Sequence, residues 1–273
     1  MFRAERSNST IGSTFSLLEL IYHATVRSIR KSHGNALFGL IMNMFQTMLL
    51  VLTFYIMFGV LGLRGSALRG DFLLYVMSGI FLFMTHTKAL GAVFGSESST
   101  SAMMKHAPMT TAVSITAAAL GSLYIQLLSV IVVLTIYHVA FTHIEIYDWI
   151  GALAMILLSW FTGAAIGMVC LAAKPWAPDV VGVIQQVYSR ANMIASGKMF
   201  VANTLPHKML VLFDWNPLFH TIDQARGFTF INYNPHFSSW QYPLYVGLAL
   251  MMIGLMGEFY TRQYASVSWG AKR

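Results

Sequence analysis

Charge is scarce in this sequence, and acidic charge most of all. Asp and Glu number ten in 273 residues, and all charged residues together make up 10%. A soluble domain carries about 25%, so this chain lacks the charge to cover a water-facing surface. It reads as a chain that uses lipid as its solvent, where apolar surface needs no covering. Cysteine is nearly absent. Cys170 stands alone inside an apolar run, which excludes an intrachain disulfide framework and a Cys-rich metal site. Residues 1–14 are mostly polar and lack the apolar core of a cleaved signal peptide. The chain is therefore expected to be mature as it stands.

Catalytic and nucleotide-binding motifs are missing too. Ala195-Ser196-Gly197-Lys198 contains a Gly-Lys pair, but Met199 follows where a phosphate-binding loop needs Ser or Thr. This chain is not expected to bind ATP by such a loop. No H-E-x-x-H occurs. His138 and His143 lack a carboxylate at helical spacing, and read as interface histidines rather than metal ligands. No acidic pair lies mid-span, so a proton relay has no candidates. Neither a catalytic residue, a metal site nor a cofactor is expected in the chain itself.

What the sequence has in abundance is apolar length: 56% of its residues are hydrophobic. A span needs about 20 such residues. Six are expected, at about 37–61, 72–94, 113–140, 150–172, 180–201 and 243–260. The fold class is thus an all-α polytopic membrane protein, one permease-like domain over 1–273. The net charge of +7 does not gather into a patch that would suit nucleic acid. Arg3, Arg6, Arg27, Arg30, Lys31, Lys105, Lys174, Arg262, Lys272 and Arg273 fall on one side of the expected spans. Arg64, Arg69, Lys208 and Arg226 fall on the other. That excess places both termini in the cytoplasm.

Two segments do not read as spans. In 15–30, Phe15, Leu18, Tyr22, Val26 and Ile29 share one helix face, with Arg27, Arg30 and Lys31 at the end. This is an amphipathic helix lying on the membrane surface; a plain leader into the first span is the alternative. Residues 202–241 are long for a loop and rich in aromatics, Pro and Asn. Short helices at 209–213 and 218–228 would dip back into the membrane there, which is tolerated only beside protein or a water-filled cavity. Gly91-x-x-x-Gly95 and Gly163-x-x-x-Gly167 have the spacing for close helix packing.

Three cations fall inside the expected spans: Lys88, Arg190 and Lys198. Lys88 lies near a span end and can snorkel. A mid-membrane charge costs about 2.5–3.5 kcal/mol and usually faces a cavity. On one helix, Arg190 and Lys198 would stand about 80° apart, a basic stripe that would attract an anionic substrate. The alternative is that Lys198 snorkels outward and Arg190 pairs with a neighbouring helix. Tyr75, Phe81 and Trp160 could stack on sugars, though aromatic residues in spans more often pack or anchor.

The order of these features resembles type-2 ABC export permeases, most closely the capsular-polysaccharide permeases of the KpsM kind. Leu205-Pro206, Trp215-Asn216-Pro217-Leu218-Phe219-His220 and Arg226 are similar to that family's Pro, W-N-P-L-x-H and downstream Arg. Ser196-Gly197-x-Met199-Phe200 resembles its S-G-x-x-F, with Lys198 inserted into a normally apolar motif. The resemblance implies ATP-driven export of a lipid-linked, anionic polysaccharide across a bacterial inner membrane. It implies a homodimer with two ABC ATPase subunits, which would hold the ATP and Mg. Periplasmic export proteins are compatible with it. Coupling to the ATPase would fall to Arg27, Arg30 and Lys31 and to Lys105 and His106 in 97–108. Trp215, Asn216, Pro217, His220, Asp223 and Arg226 would form the outer lid, with Asp223 and Arg226 placed to pair at i,i+3.

Overall fold

The computed structural model describes residues 10–33, 36–62, 71–96 and 110–264. All regular structure among them is helical. The order is α1 (Thr10–His33), α2 (Ala36–Val60), α3 (Phe72–Phe94), α4 (Thr111–Ala140), α5 (Trp149–Ala173), α6 (Pro178–Ala195), α7 (His207–Phe213), α8 (Pro217–Thr229) and α9 (Gln241–Tyr264). The chain is an all-α polytopic membrane protein.

Two of the few acidic residues start helices. Asp71 accepts from the Leu73 amide at 2.9 Å to begin α3. Asp148 accepts from Ile150 and Gly151, both at 3.0 Å, to begin α5. Each satisfies amides that a first helical turn leaves without carbonyl partners. Tyr137 of α4 donates to the second oxygen of Asp71, so one carboxylate both caps α3 and ties it to α4.

Helices α3 and α5 form the centre. Most of α3 is buried, from Leu74 to His86 without a break. Gly163 of α5 faces the backbone of α3, where a Cβ would stand 2.3 Å from the His86 carbonyl oxygen. Gly167 repeats this one turn on against Leu90, at 2.8 Å. Lipid offers no hydrophobic drive between helices, so such close approach is what holds them. The Gly91-x-x-x-Gly95 pattern does not act this way. Gly91 has open space around it and Gly95 ends α3.

Among the described residues, five helices are long and apolar enough to cross a membrane: 37–60, 72–94, 111–140, 149–173 and 241–264. The sixth expected span, 180–201, is cut short. Helix α6 ends at Ala195, and the chain turns at Gly197 with φ +76°. Lys198 therefore lies beyond the helix, and the expected stripe with Arg190 does not form. A Cβ on Gly79 would stand 2.9 Å from the Lys198 Cα. Gly79 is about 10 Å along α3 from its start, so the chain turns back inside the depth of the bundle. Helices α7 and α8 follow, then a loop to α9.

Candidate functional site

Between α6 and α9 the chain carries many polar side chains, yet most of α8 is buried. Its polar side chains explain how. Arg226 on α8 is 1% exposed. Its guanidinium donates to the carbonyls of Gly197 at 2.9 Å, Lys198 at 2.8 Å and Phe200 at 2.6 Å. These carbonyls belong to a non-helical turn, where donors are required once water is excluded. The planar fork of Arg suits several carbonyls at once. Its carbon centre lies 4.3 Å from the centroid of the Tyr75 ring, a cation–π contact that helps hold a buried charge.

Asn216 locks the other end. Its side chain accepts from the Leu218 amide at 3.0 Å and so caps α8. Pro217 follows at the first helical position, where its missing N–H costs nothing. The Asn216 amide also donates to Asn192 at 2.7 Å and to the Ala195 carbonyl at 3.0 Å, both on α6. His220 accepts from the Ser239 amide through Nδ1 at 3.2 Å. Its Nε2 must then carry the proton, which it donates to the Asp214 carbonyl at 2.6 Å. Trp215 is exposed, and its carbonyl accepts from Tyr242 of α9 at 2.8 Å.

The expected Asp223–Arg226 pair does not form. Asp223 turns the other way, accepting from Tyr233 and, at 2.7 Å, from Ser238. Burial, together with the Asp223 carboxylate beside it, pushes the Tyr233 hydroxyl well above its usual range. Asp223 thus fastens the loop that leads to α9, while Arg226 fastens the loop that leaves α6.

Lys198 is 2% exposed and no hydrogen-bond partner meets its ammonium. It sits over the rings of Phe83 at 3.5 Å and Phe54 at 4.8 Å. It neither snorkels nor lines an open face. Arg190 is exposed on α6. Tyr75 and Phe81 lie in the packed core, and the Trp160 indole donates to the Ala119 carbonyl at 2.9 Å. Packing therefore takes the rings expected to meet sugars. Arg27 and Arg30 are exposed on α1. The side chain of Lys31, and Lys105 and His106 entirely, lie outside the described residues.

Residues 19–230 match the ABC-2 type transporter family. The chain belongs to that family. The match opens in α1 and closes one residue past α8, so the interlocked segment falls within it. This ABC-2 transporter chain is the membrane-spanning subunit of an ABC transporter, and its family implies ABC ATPase partners. A search among curated proteins finds no match.

Several residues of this transporter subunit escaped the sequence reading. His86 of α3 approaches the Ser159 carbonyl and Thr162 hydroxyl of α5, each at 3.2 Å, and the Tyr188 hydroxyl of α6 at 3.1 Å. Asn192 receives Asn216. Asn43 donates to Gln126 at 3.1 Å and Ser129 at 2.8 Å across α2 and α4. The available signal was a polar residue inside an apolar run, which marks a partnered position more often than an error.

Proposed function

We propose that the chain exports a capsular or related polysaccharide, lipid-linked and anionic, across a bacterial inner membrane. A homodimer would carry the passage, and hydrolysis of ATP with Mg in two partner ABC ATPase subunits would drive it. Both termini would be cytoplasmic, and the α7–α8 end periplasmic. The observation that supports this reading is the interlocking of Ser196–Phe200, Asn216–His220 and Arg226, residues that resemble the motif of polysaccharide permeases, into one re-entrant unit. Of the two cations expected to line the passage, Arg190, exposed on α6, is the one left to meet an anionic cargo.

The test is deletion of the gene, followed by measurement of surface polymer and of sensitivity to small toxic compounds. Loss of surface polymer, with polymer retained inside the cell, is expected. Unchanged polymer with raised drug sensitivity would instead make this a small-molecule exporter. Within a complementing copy, Arg190→Gln is expected to lower export several-fold while the protein remains in the membrane. Unchanged export would remove Arg190 from the passage.

A further inference from the structure

At the end opposite α8, a cavity of about 290 Å³ opens between α1, α2, α3 and α4. That is far above the ~30 Å³ share of one water. Its mostly apolar lining is broken by Asn43, Gln46, Thr87, Lys88 and Gln126. Gln126 of α4 is 1% exposed, and its side-chain N–H group has no partner although its oxygen accepts from Asn43 at 3.1 Å. Lys88 of α3 gives one proton to Gln46 of α2 at 2.6 Å, which leaves two of its three. Thr87 and Ser122 have turned their hydroxyl protons to carbonyls of their own helices, at 2.9 and 2.7 Å.

The donors left over here are two N–H groups of Lys88, with the Gln126 amide enclosed behind the cavity surface, while the Thr87 and Ser122 oxygens can still accept. Among the described residues that line it, Lys88 is the one charged group. A negatively charged ligand rich in acceptor oxygens meets the ammonium and its two remaining N–H groups. A phosphate group has both properties. The surroundings suit a lipid-borne one. Beside the cavity, α2 presents Phe38, Ile41 and Phe45 outward, with half or more of each side chain exposed. Arg30 stands exposed on α1 next to the lining residue Ile29.

We infer that this cavity binds the phosphate of a membrane lipid headgroup, with Lys88 as its charged donor and the acyl chains lying along α2. The site is separate from the re-entrant unit. It rests on the proposed function only for naming the leaflet as cytoplasmic.

The test is native mass spectrometry of the full chain, purified in detergent with the ATPase subunits that accompany it. Dioleoylphosphatidylglycerol and dioleoylglycerol serve as probes, matched in acyl chains but differing in phosphate. The phosphate-bearing lipid is expected to be retained about tenfold better. Gln126→Glu keeps the acceptor for Asn43 and places a carboxylate beside the cavity, where it repels a phosphate, and should abolish that preference. Lys88→Met should reduce it several-fold, and serves alone if Gln126→Glu does not fold. Lys174→Met, which alters a lysine bonded to the Phe94 carbonyl at 3.2 Å, should leave it intact. Displacement of the lipid by inorganic phosphate alone would make a free anion the occupant. Equal retention of both probes, or no effect of either cavity variant, overturns the inference. Neither result depends on which cargo is exported.

Discussion

The re-entrant segment and helix α6 are neighbours in sequence and opposites in construction. From Ser196 to Phe230 the chain is held by side chains that reach far along it: Arg226 to Gly197, Asn216 to Asn192, His220 to Ser239. Helix α6 buries only Val181 and Asn192, and leaves Val180, Val183, Ile184, Val187 and Ile194 outward. In lipid an apolar outward face has no cost, whereas an irregular backbone does. The polar residues are therefore placed where the backbone leaves the helix. A regular helix needs none of them to remain folded.

If that contrast is right, the largest loss should come from Arg226. Arg226→Met leaves three carbonyls without their donor. Hydrogen bonds in membranes average about 0.6 kcal/mol, but stranding a buried partner costs about 1–3 kcal/mol each. A loss of about 3 kcal/mol in stability is expected, read as a lowered temperature of aggregation in detergent, together with loss of export. Arg226→Lys should recover little, because one ammonium cannot reproduce the fork. Next is Gly197→Ala. Its φ of +76° and a Cβ 2.7 Å from Phe219 both oppose a side chain. About 2 kcal/mol is expected by the same measurement, since the left-handed conformation alone costs ~1–2 kcal/mol. Asn216→Ala removes the α8 cap and two bonds to α6, for about 1–2 kcal/mol. A milder effect at Arg226 than at Asn216 would reverse the account, making the cap rather than the clamp the main support.

The sequence was most legible where one local property decides the outcome. Hydropathy over twenty residues located the apolar helices, and the short helix expected at 218–228 is α8 to within one residue at each end. It was least legible where partners lie far apart. Asn43 and Gln126 are separated by 83 positions, and nothing local to either indicates the other. Lys198 illustrates the same limit. Read on a continuous helix, it joined Arg190. The turn at Gly197 moved it against Phe54 and Phe83 instead, and one glycine was the only local sign. Asp223 and Arg226 had the right spacing to pair, but tertiary partners on two different loops outcompeted that short-range contact.

The smallest effects belong on α6, and they sharpen the contrast most. Val187→Ala should change the stability of the separate chain by less than about 0.5 kcal/mol, the usual range for positions without buried contacts. A larger loss would mean that the outward face of α6 is already packed within one chain. The same face can be asked what covers it. Cys170 is the single cysteine, so Cys170→Ala gives a background free of thiols. Val187→Cys in that background is expected to cross-link two copies under mild oxidation, seen as a dimer on a non-reducing gel. Met252→Cys on the outward face of α9 should stay monomeric. A disulfide requires Cα atoms within about 7 Å, so the bond would place α6 against its own copy. Cross-linking at Met252 but not at Val187 would put the second copy on α9 and leave α6 to lipid.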